Sequence, residues 1–213
     1  SREAINPWYN ALYDHVDDAM TAFAKRTGRA YRPFEYYGAP DAEQVIIVMG
    51  SASGTCEEVV DHVNRTGGKV GVLKVRLFRP FSARHLLEAL PLSAKRIAVL
   101  DRTKEPGAQA EPLYLDVMTA LAESVSQGTR PFLPVVIGGL YGLSSKEFDS
   151  RCVLAVFNAL KQPTPPARFT VGIYDDVTHL SLPLPENTLA PDTRLEALFY
   201  GLGSDGSVSA TKN

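Results

Sequence analysis

VLDRTKEPGAQAEPLYLD, residues 99–116, couples an apolar run to a helix through a charged loop. Ile97, Ala98, Val99 and Leu100 are uninterrupted apolar residues, the mark of a strand covered on both faces. Asp101, Arg102, Thr103, Lys104 and Glu105 then alternate in charge, and Pro106-Gly107 breaks the chain. Pro112, preceded by Glu111, suits the first turn of a helix. Strand, polar loop and helix make one turn of an α/β sheet. Loops at strand C-termini are where such sheets meet ligands or partners. A loop this charged is not buried unless something pairs with it. Residues 101–105 are therefore expected to face another domain.

The same pattern repeats on both sides. QVIIVM, residues 44–49, is another all-apolar run, followed by Gly50-Ser51-Ala52-Ser53-Gly54-Thr55 and a helix over 56–64. Open backbone amides at that helix start suit an anion, but the spacing is neither GxxxxGK[ST] nor GxGxxG. A tight turn with Ser53 or Thr55 as N-cap is the plainer reading. Residues 70–77, VGVLKVRL, predict a strand, with a helix from Pro80-Phe81-Ser82 to Leu90. Arg76 and Arg79 flank that strand's end. They suit a carboxylate or phosphate, or more simply ion pairs across a domain interface. A fourth strand is expected over 132–137, ending in GGLYG, with Ser144 and Ser145 capping the next helix. A last strand is expected over 169–174. The order β-α-β-α-β-α-β-α-β argues a three-layer α/β/α domain, with a mostly parallel five-stranded sheet, over residues 41–178.

Before it, Trp8, Leu12, Val16, Met20 and Phe23 recur about once per helical turn, and Gly28 is placed to end that helix. Tyr31, Phe34, Tyr36 and Tyr37 follow in a proline-containing connector, as a ligand shelf or as staples onto a neighbouring surface. Residues 1–40 thus read as helix plus connector. After the core, residues 179–193 carry little periodicity and read as a linker arm. Residues 195–200 read as a new strand, and GLGSDG follows it. Residues 194–213 are therefore expected to open a further domain, and the whole chain to be a piece of a longer one.

Composition narrows the function classes. The 213 residues carry a net charge of −2, which makes no electrostatic case for nucleic acid or an anionic membrane. No run approaches the roughly 20 apolar residues of a membrane span, and no signal peptide is visible at the N-terminus. Cys56 and Cys152 sit among apolar neighbours, as reduced, buried thiols of a cytoplasmic protein do. His15, His62, His85 and His179 are scattered, without metal-ligand spacing. No GxSxG elbow or CxxCxxC run occurs. The acid pairs Glu57-Glu58 and Asp175-Asp176 are sequence neighbours and read as solvated faces. These residues, read alone, assemble no catalytic centre and no metal site.

FEYYGAPDAEQVIIVMGS, VGVLKVRLFRPFS, IAVLDRTKEPGAQAEPLYLDV, FTVGIYDDVT and FYGLGSDGSVSATKN occur here in that order. Together they resemble pyruvate:ferredoxin (flavodoxin) oxidoreductase over nearly the whole chain, RTKEPG and GLGSDG being the most specific words. The resemblance implies domain II, similar to the C-terminal domain of transketolase, followed by the start of domain III. It implies a parent enzyme that is a homodimer and converts pyruvate to acetyl-CoA. That enzyme uses thiamine diphosphate with Mg, coenzyme A and [4Fe–4S] clusters, and passes electrons to ferredoxin or flavodoxin. The thiamine and cluster motifs belong to other domains, so this piece is expected to be an inactive docking domain holding no cofactor.

By the same resemblance, Gly203, Ser204, Asp205, Gly206, Lys212 and Asn213 match the family's coenzyme A loop. Open amides and a lysine there suit a pyrophosphate, whereas the bare spacing equally suits an ordinary β-α turn. Ser209 stands where the family's TVGANKN has glycine. Two alternatives share this core: an interaction module of a reductase similar to sulfite reductase flavoprotein, and a fusion that delivers electrons from pyruvate to NADP.

Overall fold

The computed structural model describes residues 2–175 and 177–186, together with Leu189 and Tyr200. The elements run α1 (Asn6–Thr27), β1 (Phe34–Gly38), β2 (Gln44–Met49), α2 (Ala52–Arg65), β3 (Val70–Val75), α3 (Ala83–Ala89), β4 (Arg96–Asp101), α4 (Pro112–Ser126), β5 (Val135–Tyr141), α5 (Ser150–Lys161) and β6 (Arg168–Val171). The strands form one six-stranded sheet in the order β1-β3-β2-β4-β5-β6. β2 to β6 are parallel, and β1 runs antiparallel to β3.

Side-chain alternation builds two cores from one sheet. Ile46, Val48, Val72, Ala98 and Leu100 point to the face covered by α2 and α5. Val45, Ile47, Leu73, Ile97 and Val99 point to the face covered by α3 and α4, which Tyr13 of α1 also joins. Both faces of the central strands are dry, as their apolar runs require.

The sheet is mostly parallel, as expected, but has six strands rather than five. The additional strand is β1, within the aromatic connector. Phe34 enters the core beside α3, while the Tyr36 hydroxyl donates to the Ala39 carbonyl at 2.5 Å. The ring of Tyr36 lies where a side chain at residue 71 would be, so Gly71 leaves it room. The sheet therefore reaches back past residue 41. At its other edge it reaches forward to Ser181, which bridges Thr170.

The remaining corrections are local. β5 begins at Val135 rather than residue 132 and includes Gly138 and Gly139. A Cβ at Gly139 would stand 2.3 Å from Phe169 Cζ, so the buried phenyl ring uses the space the glycine leaves. The final strand is Arg168–Val171, shorter than expected at its far end. α5 is capped by Asp149, which accepts from the Arg151 and Cys152 amides, and not by Ser144 or Ser145. α2 starts earlier than expected, so Ser53 and Thr55 lie inside it rather than at its cap. Gly28 ends α1 in the left-handed region at φ 73°, as expected.

Candidate functional site

The strand order reverses between β2, which adjoins β3, and β4, which adjoins β5. In open parallel sheets the crevice at such a point, beyond the strand C-termini, is where ligands bind. Here that edge carries the turn after Met49 and the loop after Asp101. Tyr141 lies beneath it, and its buried hydroxyl donates to the Met49 carbonyl at 2.9 Å. Its ring packs on Phe148 at 4.7 Å. Burial pushes the Tyr141 hydroxyl up to about 12, so it stays protonated and donating.

The five loop residues singled out from the sequence divide by direction. Asp101 turns inward and is 1% exposed. Its two carboxylate oxygens accept from the backbone N–H groups of Leu113 at 3.0 Å and Tyr114 at 3.1 Å. Glu111, at the cap position of α4, makes no side-chain cap bond, so Asp101 does that work from the preceding strand. Burial raises its carboxyl above the usual aspartate value, and the two amides only partly offset that.

Arg102, Thr103, Lys104 and Glu105 are exposed. Arg102 Nε donates to the Gly142 carbonyl at 3.1 Å, tying this loop to the turn after β5. Lys104 Nζ donates to the buried Glu111 carboxylate at 2.7 Å. Among the described residues, the side chains of Thr103 and Glu105 make no hydrogen bond or ion pair. The loop is thus held at three points and presents two unengaged polar side chains. That suits recognition by another surface more than chemistry on a small molecule.

The other charges at this edge pair within the chain. Arg79 meets Asp116 at 2.6 Å, and Lys146 meets Asp175 at 3.0 Å. Arg76 binds Glu35 at 3.1 Å. Arg76 and Arg79, expected to pair across a domain interface, each have an ion-pair partner inside the chain. Beside Gly142, Ser144 and Ser145 hold φ of 52° and 60°, a left-handed conformation that costs a non-glycine residue about 1 kcal/mol or more.

Cys56, Cys152 and His85 are committed to structure. Burial pushes the Cys56 thiol up to about 12 and the Cys152 thiol up to about 11, leaving both protonated and poorly nucleophilic. Ser82 Oγ and His85 Nδ1 lie 2.6 Å apart, but Arg84 occupies the other ring nitrogen at 2.8 Å. Burial and then Arg84 lower the His85 pKa, so the ring is neutral, and it stacks on Tyr13 at 3.8 Å between centroids. Among the described residues, no group of His, Cys, Asp and Glu could hold a metal ion. Gly203, Ser204, Asp205, Gly206, Lys212 and Asn213 lie outside the described residues, as does all but Tyr200 of the strand expected over 195–200.

Residues 42–141 match the model of the family described as pyruvate:ferredoxin oxidoreductase core domain II. Residues 42–141 are thus similar to that family's domain II core. It is 74% identical over all 213 residues to the "Probable pyruvate-flavodoxin oxidoreductase" of Escherichia coli (strain K12). It is 54% identical over 214 aligned residues to the "Pyruvate:ferredoxin oxidoreductase" of Moorella thermoacetica. In both comparisons the whole of this chain aligns, and it spans 18% of the relative's length. A solved 2-oxoglutarate:ferredoxin oxidoreductase from Magnetococcus marinus aligns with 62% of this chain and 20% of its own, at 17% identity and a TM-score of 0.40. The domain II core covers β2 to β5, the switch point and the whole loop from Asp101 to Glu111.

The inward aspartate and the first strand were the features least visible beforehand. One signal for Asp101 was present: Glu111 and Pro112 leave α4 without a Ser, Thr, Asn or Asp cap, and an acid at the preceding strand end can supply one.

Proposed function

We propose that this chain is a docking domain, without a catalytic role of its own, in an enzyme that oxidatively decarboxylates pyruvate. In that reaction pyruvate and coenzyme A give acetyl-CoA and CO2, and two electrons leave to ferredoxin or flavodoxin. The observation that carries the proposal is the 74% identity of the entire chain to one stretch of a much longer pyruvate-flavodoxin oxidoreductase. The committed state of the thiols, His85 and Asp101 supports the non-catalytic part. So does a strand-end loop whose charges are braced on the chain itself while Thr103 and Glu105 face out.

Thiamine diphosphate, Mg and [4Fe–4S] clusters would supply decarboxylation and electron transfer from other domains of the same polypeptide. The parent enzyme would be a cytoplasmic homodimer. Among the described residues, no helix is long and apolar enough to cross a membrane. Gly203, Ser204, Asp205, Gly206, Lys212 and Asn213 are proposed to cradle the coenzyme A pyrophosphate, through backbone amides and one ammonium.

The test is pyruvate-dependent reduction of flavodoxin by the intact polypeptide, with Lys212→Ala beside it. The wild type is expected to turn over. The variant should raise the KM for coenzyme A about tenfold, as loss of one charge-assisted contact does, and leave the KM for pyruvate unchanged. No turnover by the wild type would reject the proposed enzyme. An unaltered coenzyme A dependence would reject the lysine's role.

A further inference from the structure

α1 is 22 residues long, yet only Tyr13 of it is buried. Ile5, Trp8, Leu12, Val16, Ala19 and Phe23 recur at helical spacing and form one apolar stripe. Its members face outward: Trp8 is 77% exposed, Ile5 49%, and Leu12 and Phe23 40% each. The contacts that hold α1 to the sheet come from a neighbouring face. Tyr13 stacks on His85, and Asp17 pairs with Arg32 at 3.4 Å.

Towards its C-terminal end the stripe borders a groove of about 540 Å³, walled by Val16, Met20, Phe23 and Tyr31. The rings of Phe23 and Tyr31 lie 5.9 Å apart, and Arg76 covers Tyr31 at 4.7 Å. The lining is almost wholly apolar. A stripe and groove of this length exceed the scattered apolar exposure normal for a free surface.

We infer that this face is covered by an apolar segment of the same polypeptide that lies outside residues 1–213. The inference rests on reading the chain as part of a longer enzyme. The whole chain, α1 included, aligns with the relatives while spanning 18% of their length, so most of such a polypeptide is available to cover it. α1 also lies outside the domain II core that begins at residue 42, as an element flanking that core. A tethered segment meets the stripe at an effective concentration of about a millimolar in each subunit of the proposed homodimer, whether or not the dimer interface reaches α1.

The experiment places a photocrosslinker, Trp8→p-benzoylphenylalanine, in the intact polypeptide, and illuminates protein reassembled from an equal mixture of dissociated light and 15N-labelled chains, so that any dimer carries both labels. Trp8 is exposed, so the change leaves the core intact, and Leu12→p-benzoylphenylalanine, one turn on, serves as a second variant. Both are expected to give one dominant adduct, to a peptide outside residues 1–213 of the same chain, without mixed-isotope products. Mixed-isotope adducts, adducts confined to residues 1–213, or no adduct from either position would overturn the inference. Flavodoxin reduction by the unsubstituted polypeptide is read separately. Its absence rejects the proposed enzyme and leaves the adduct's position fully interpretable.

Discussion

Lys74→Met lowers the unfolding free energy by about 3 kcal/mol, the low end for removing one member of a buried ion network. Lys74 lies on β3, 5% exposed, between the carboxylates of Glu35 on β1 and Glu57 on α2, and donates to both. Methionine replaces the aliphatic stem, so little cavity is left and the loss is electrostatic. Two acids that shared a cation then face each other, with only Arg76 still on Glu35. Both acids remain partly exposed, with side-chain exposure of 26% and 33%, which keeps the loss from the upper end of the range.

The pH dependence follows from Glu35. Burial pushes its carboxyl up, but Lys74 and then Arg76 more than offset that and hold it below the usual glutamate value. A lowered folded value means stability that is present above the unfolded pKa and is lost as pH falls through the folded one. The deficit of Lys74→Met should therefore be widest near pH 7 and narrow below about pH 4. Urea titrations at both pH values measure it. A loss under about 1 kcal/mol at pH 7 would show that the network does not anchor β1 and α2 to β3.

Asp101→Ala is expected to cost about 2 kcal/mol, because two backbone donors at the start of α4 lose their acceptor in a dry site. For a domain near 200 residues that is a fall in Tm of about 4–8 °C. Asp101→Asn keeps one acceptor without the buried charge, and should lose less than half as much. The raised carboxyl sets the opposite pH sense from Glu35. Stability contributed by protonated Asp101 is complete below the unfolded pKa and is lost as pH rises through the folded one. The gap between wild type and Asp101→Ala should thus be larger near pH 3 than near pH 7. Equal stability of the alanine variant and the wild type would remove Asp101 as the brace of the loop.

The layered α/β plan was legible because β2 and β4 are unbroken apolar runs, a signal that survives any local noise. β1 was not, because its five residues follow a proline and its stability comes from pairing with β3, whose register partners lie 33 to 41 residues away, from Gly38–Gly71 to Phe34–Val75. β5 was misplaced because glycine has no strand preference of its own. Gly138 and Gly139 are in the strand because Tyr114 and Phe169 occupy the space beside them, a tertiary fact. The charged loop was found at the expected end of the sheet, but alternating signs cannot say which member turns inward. That is decided by the uncapped amides of α4. The ion pairs of Arg76 and Arg79 were hidden for the same reason, since their partners, Glu35 and Asp116, are 41 and 37 residues distant.

Hydrogen exchange over residues 102–109 of the intact polypeptide bears most directly on whether this edge docks. Apart from the Ala108 amide, which donates to Glu105, backbone in this loop has little internal protection. Packing against another domain should slow its exchange at least about tenfold below the unprotected peptide rate. Exchange at the unprotected rate throughout the loop, in an enzyme that turns over pyruvate, would contradict a docking role.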